Sequence, residues 1–195
     1  YVYTYDMLGN ITEVKDRKNF TTTSYAYDNA GNVISKTTPS GDVISYVYKL
    51  DNLTEIIYPR IPSANVTNIY GNKNSSYGRR NRVALSYNSS IVDEYFYNQQ
   101  GRVAKVRRTM VVPNGKILTY VTEFKYDTWG RLLEMIYPDG EILTYSFNVA
   151  GLADGVKGRK TYDYKYIDGV VYDYLGRLQE IKFDNGISKK VQYYH

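Results

Sequence analysis

A nine-residue phrase recurs down this chain, and its recurrence limits the fold more than any other feature. The fullest copy is Tyr25-Ala26-Tyr27-Asp28-Asn29-Ala30-Gly31-Asn32-Val33. Further copies begin at Tyr3, Tyr95 and Phe124, each running aromatic-x-Tyr-Asp/Asn-x-x-Gly-Asn/Arg-aliphatic. Worn copies run from Tyr145 to Leu152 and from Val170 to Leu178, and Tyr46 to Leu53 reads as a copy shortened by one residue, its glycine lost. Repetition at about 20 to 30 residues is the signature of an array, in which each copy is one supersecondary unit.

Elementary stereochemistry says what one copy does. Two aromatics two residues apart share a face of an extended chain, because strand side chains alternate. The Asp or Asn that follows accepts hydrogen bonds from N–H groups ahead of it and starts a turn. Glycine three residues later takes the left-handed conformation that a Cβ disfavours. The order fits a type I turn closed by a glycine bulge. The residues predicted to carry this pattern are Tyr3, Tyr5, Asp6, Gly9, Tyr25, Tyr27, Asp28, Gly31, Tyr97, Gly101, Tyr126, Asp127, Gly130, Tyr145, Phe147, Gly151, Asp173 and Gly176. Their expected role is architectural.

A second corner alternates with the first at Pro39-Ser40-Gly41, Pro138-Asp139-Gly140 and Asp184-Asn185-Gly186. An aromatic follows each of these glycines by seven positions (Tyr48, Phe147 and Tyr193), which predicts strands of equal length. The fold class expected is all-β, an antiparallel meander of repeated hairpins. No apolar stripe holds a helical period for long, so almost no helix is expected.

The Y-x-Y-D-x-x-G-R-L motif with its P-x-G returns resembles the YD repeat of the Rhs family, which includes bacterial toxin shells, wall-associated proteins and the teneurins. Tyr70-Gly71 followed by Gly78-Arg79 and Asn81-Arg82-Val83 is similar to a longer variant spacer of that family. The resemblance implies a curved or spiralling sheet, a section of a shell around a passenger polypeptide. Many relatives close the shell with a segment containing Asp-Pro-x-Gly, beside which the passenger is cut off. Such a segment is absent from this sequence, so the protease and toxin activities of the family are not carried over.

The array is expected to fill residues 1–195 as one domain, with an irregular segment at about 59–82 that divides two sub-arrays. Pro59 and Pro62 bar a central strand there, and residues 72–76 read as a polar loop. Residues 150–160 are glycine-rich and read as a second interruption, with separate strands expected at 161–166 and 170–172. The chain starts and stops within the pattern, so it reads as a section of a longer array or as one closed by self-association through strand edges.

Composition agrees with a sheet that is wet on at least one face. Tyrosine occurs 24 times against 5 phenylalanines and 1 tryptophan, and its polar tip suits a half-exposed strand. Zero cysteines exclude disulfides and thiolate chemistry. No run of residues reaches the ~18 apolar positions of a membrane helix, so membrane insertion is not expected. The net charge of +5 includes clusters at Arg79, Arg80 and Arg82 and at Lys105, Arg107 and Arg108. Solvated sheet surface explains these, and no nucleic-acid module is visible.

No constellation of residues points to catalysis. His195 is the single histidine and is terminal. Asp93 with Glu94 and Asp139 with Glu141 are the candidate acid–base pairs, but they read as turn residues. Residues 151–161 fail the phosphate-loop spacing. No cofactor, metal or catalytic residue is therefore predicted, and the chain reads as no enzyme. The function expected is a structural β-repeat section of a larger secreted or surface bacterial protein, enclosing a passenger polypeptide. The alternative is a carbohydrate- or cell-surface-binding module, with tyrosines stacking on a surface glycan.

Overall fold

The computed structural model describes residues 1–18, 20–72, 74–75 and 79–193. Expectations that touch Asn19, Lys73, Ser76, Gly78 and His195 lie outside the described residues. Among those described, the chain is all-β, with seventeen strands assigned to one sheet. The helical content is one 3-10 turn at Pro62–Ala64. Proline suits the first position of such a turn because its missing N–H would have no partner there.

The chain divides into two compact units, Tyr1–Tyr95 with Arg108–Thr119, and Phe96–Arg107 with Tyr120–His195. The first holds β1 (Val2–Tyr5), β2 (Ile11–Asp16), β3 (Thr21–Tyr27), β4 (Val33–Thr37), β5 (Val43–Lys49), β6 (Asn52–Ile57), β7 (Val66–Tyr70) and β8 (Val83–Tyr87). The strands β9 (Ile91–Tyr97), β10 (Val103–Val111) and β11 (Ile117–Tyr126) give residues to both units. The second unit continues with β12 (Leu132–Ile136), β13 (Ile142–Phe147), β14 (Ala153–Arg159), β15 (Asp163–Tyr172), β16 (Leu178–Phe183) and β17 (Ser188–Lys190).

From β1 to β9 each strand pairs antiparallel with its successor. The same holds from β11 to β17. Short turn-forming connections allow only this, since a parallel pair needs a crossover of a dozen or more residues. The meander predicted from the corners is the fold observed.

Burial is shallow. Leu143 and Asp93, each 9% exposed, are the buried hydrophobic and the buried charged side chain among the described residues. In the second unit the register shows why a core is still present. Phe124 faces Met135, Met135 faces Leu143, Leu143 faces Gly158 and Gly158 faces Tyr164. These form an apolar row on one side of five strands. Shifting each strand by one residue gives the row Lys125, Glu134, Thr144, Lys157 and Lys165, on the opposite side. Alternation along each strand thus separates an apolar from a charged face.

Four expectations change. Residues 150–160 do not interrupt the pattern, because β14 crosses them as a regular strand. Its glycines serve close approach rather than turning. A Cβ on Gly158 would lie 2.3 Å from the Tyr164 ring, and one on Gly155 would lie 2.8 Å from Ser146 Oγ. The two strands expected at 161–166 and 170–172 are one, β15, whose register slips between Ile167 and Gly169 and so absorbs Asp168 without ending the strand. The last strand is shorter than expected, ending at Lys190. Finally, Asp93 and Glu94, read as acids in or beside a turn that hold backbone, lie within β9 and bond arginines instead.

Candidate functional site: the repeated corner

Among the described residues ten glycines have a positive φ, between 76° and 87°, and every one of them lies in a turn between strands. Six are the predicted Gly9, Gly31, Gly101, Gly130, Gly151 and Gly176. The others include Gly41, Gly140 and Gly186 of the second corner, joined by Gly115. The shortened copy closes without glycine, Leu50 and Asp51 both taking positive φ of 50° and 62°. A two-residue hairpin turn with both central residues left-handed is what replaces the longer corner there. Asn81 plays a similar part in the variant spacer, with φ of 55°.

The first corner repeats one hydrogen-bond set. In the Asp28 copy the Gly31 N–H donates to the Asp28 carbonyl at 3.1 Å, and the Asp28 N–H donates to the Asn32 carbonyl at 2.9 Å. The side chain completes it, with Oδ1 accepting from the N–H groups of Ala30 and Asn32 at 2.9 and 2.8 Å. Asp6, Asn98, Asp127, Asn148 and Asp173 hold the same main-chain pattern. The second carboxylate oxygen engages the residue after the glycine. Asn10 and Asn32 donate their side-chain amides to Asp6 and Asp28. Arg131 and Arg177 donate Nε to Asp127 and Asp173 at 2.6 Å. These bonds favour the ionised carboxylate. The Asn10 and Asn32 side-chain amides, followed by their main-chain N–H groups, hold Asp6 and Asp28 below the usual range. At Asp127 and Asp173 desolvation pushes upward and is outweighed by the arginine's amide and guanidinium, so these carboxyls are lowered too.

The aromatics do something the sequence reading missed. The second tyrosine of a copy donates its hydroxyl to the carbonyl of the residue that leaves the preceding corner. Tyr27 donates to Ile11 at 2.7 Å, Tyr70 to Leu53 at 3.1 Å, Tyr126 to Val103 at 2.9 Å and Tyr172 to Ala153 at 2.7 Å. At Tyr5, Tyr27, Tyr48, Tyr70, Tyr126, Phe147 and Tyr172 the strand register slips by one residue. A slip disrupts the ladder locally, and a phenol from the next copy bonds the strand residue beside it at Ile11, Leu53 and Ala153. Ring-to-ring contact is edge-on and, among the described pairs, confined to Tyr162, Tyr164 and Tyr166 along one stretch of chain, with centroids 5.4 to 5.6 Å apart.

The other residues of the pattern lie on strands. Tyr3 and Tyr5 stand on β1, both exposed, Tyr25 on β3, Tyr97 on β9, and Tyr145 with Phe147 on β13. Arg131, bonded to Asp127, is also sandwiched between aromatic rings, its guanidinium carbon 4.8 Å from Trp129 and 4.3 Å from Phe147. One corner is thereby tied to the next strand pair.

The candidate acid–base pairs are employed otherwise. Asp93 accepts two 2.7 Å bonds from the Nε and Nη2 of Arg108. Glu94 pairs with Arg79 at 2.9 Å. Asp139 holds Lys160 at 2.7 Å, and Glu141 accepts the hydroxyls of Tyr164 and Tyr166. Those phenols hold Glu141 below the usual carboxylate range, and Glu141 in turn pushes both phenols up. A general acid needs the opposite shift. Among the described residues no group of three or more His, Asp or Glu side chains is arranged to hold a metal ion, and no helix is long and apolar enough to cross a membrane.

The RHS repeat model matches residues 5–43 and 27–60, the stretch with the most regular copies. The chain is 33% identical over 134 residues to the tRNA nuclease WapA of Bacillus subtilis strain 168, and 32% identical over 135 residues to the tRNA3(Ser)-specific nuclease WapA of Bacillus spizizenii. Each match takes in 67% of this chain and 5% of the relative, so the chain spans about a twentieth of their length. Among solved structures it is similar to the crystal structure of TcdB2-TccC3, with a TM-score of 0.66 and 16% identity over 99% of this chain and 11% of that one. The crystal structure of TcdB2-TccC3 without its hypervariable C-terminal region matches with the same score, over 10% of that chain.

Proposed function

This chain belongs to the Rhs/YD-repeat family, and from that premise we propose that it is a stretch of wall enclosing a passenger polypeptide in a larger secreted or surface bacterial protein. The observation that carries the reading is the repeated corner. One Asp/Asn–Gly hydrogen-bond set recurs from Asp6 to Asp173, and a tyrosine of one copy bonds the exit strand of the copy before it. Such a device extends a sheet copy by copy. The likeness to a toxin complex along 99% of the chain supports the same reading.

The role is mechanical: the wall separates what lies on its two faces, and no catalytic step is assigned to this chain. The partners are further repeats of the same protein and the passenger. Neither the family match nor the solved structures favour the carbohydrate-binding alternative.

Limited proteolysis of the polypeptide that carries this array tests the proposal. A passenger inside the wall is expected to survive a protease that digests the same segment when free. Digestion at the same rate in both settings would overturn it.

A further inference from the structure

In the second unit, the charged row across β11 to β15 lies along a groove of about 540 Å3. Arg159 and Asp163 line the groove beside it. Three of the six charged side chains of that lining are matched. Lys125 pairs with Glu134 at 2.6 Å, and Lys165 pairs with Asp168. Lys157 and Arg159 are different: both are exposed, and among the described residues neither has a hydrogen-bond or ion-pair partner. They stand two positions apart on β14, on one face, about 7 Å apart along the strand.

Lys157 also stands directly opposite Lys165 in the β14–β15 register. Like charges facing each other across a strand pair oppose folding. A wall with no further duty would gain from threonine or a carboxylate at that position.

We propose that this groove binds an acidic peptide segment, its carboxylates engaging Lys157 and Arg159. A peptide fits better than a polyphosphate, because its N–H groups can donate to Glu134 and Asp163 in the lining, whereas a polyphosphate offers those carboxylates only negative oxygens. The proposal rests on the enclosing-wall reading only in taking the passenger as the source of that segment.

The test is fluorescence anisotropy of the whole chain with a labelled hexaglutamate peptide at low salt. Saturable binding is expected, weakened about tenfold by Lys157→Gln or Arg159→Gln alone and about a hundredfold by the pair, one charge-assisted bond being lost at each. Lys157→Arg should keep the binding, as should Lys18→Gln with Lys116→Gln, which remove exposed cations elsewhere. Circular dichroism checks that each variant folds. Failure to saturate, equal binding by the Lys157/Arg159 pair variant, or equally tight competition by inorganic tripolyphosphate would each overturn the proposal. Protease protection of the passenger is read separately, so loss of one result leaves the other standing.

Discussion

The hydroxyl of Tyr126 donates to the main-chain carbonyl of Val103 at 2.9 Å, joining two corners across 23 residues of chain. The ring is partly buried, and that burial pushes the phenol's pKa up. Removing the hydroxyl leaves the ring in place and the carbonyl without this donor. Tyr126→Phe should therefore lower unfolding free energy by about 1 kcal/mol, read as a shift of urea midpoint at constant slope. Tyr25→Phe, at a ring with no phenol bond among those described, should stay within about 0.5 kcal/mol. Equal losses would show that the phenol bond is not what anchors the corner.

Corner glycine is required by conformation and not by space. Gly31 has φ of 84°, and a Cβ there would meet nothing within 4 Å. Gly31→Ala should destabilise by about 1 to 2 kcal/mol from left-handed strain alone, and Gly31→Asn by less, because asparagine tolerates that region. Gly71→Ala should cost more, since its Cβ would sit 2.2 Å from the Arg79 carbonyl oxygen. Thermal unfolding of the three variants gives the order, and a Gly31→Ala variant as stable as the parent would refute the conformational account.

Asp93 has a side chain 13% exposed and is held by both Nε and Nη2 of Arg108. The pairing raises the arginine's pKa through its bond to Asp93. Arg108→Ala should destabilise by about 1 to 3 kcal/mol, because it strands a buried acceptor. Adding Asp93→Asn should recover part of the loss. A double-mutant cycle with no coupling would mean that the two side chains act independently.

The Glu141 cluster predicts a stability plateau with two limbs. Glu141 is held below the ordinary glutamate value of 4.5, so its contribution is present above that pH and lost as pH falls through the folded value. Tyr164 and Tyr166 are raised above 10.0, so theirs is present below that pH and lost as pH rises through the folded values. Glu141→Gln should flatten both limbs in a melting-temperature profile and let tyrosinate absorbance appear at lower pH. A profile that keeps both limbs in the variant would exclude the cluster as their origin.

Glycine shows where sequence reading works and where it stops. Gly9, Gly31, Gly101 and Gly130 are legible as corners because a turn is a local object: the acceptor, the left-handed residue and the returning strand lie within four positions. Gly155 and Gly158 look the same in sequence and do not turn. Their reason is Ser146 Oγ and the Tyr164 ring, on other strands, and nothing in their local spacing distinguishes a turning glycine from one that makes room. Asp93 and Glu94 are similar cases, since an acidic residue beside a presumed turn reads as a turn former until the fold brings Arg108 and Arg79 to them.

Local chemistry was enough to make this chain a meander of hairpins, because left-handed glycines and turn-starting carboxylates act within a few residues and recur. Which phenol meets which carbonyl, which lysines stay unmatched and the continuity of β14 and β15 emerge only in the folded sheet. Those outcomes depend on register across strands, which the one-residue slips at the second aromatic of each copy reset. A slip moves every later side chain to the other face or to another partner, so the corners were readable and the contacts across them were not.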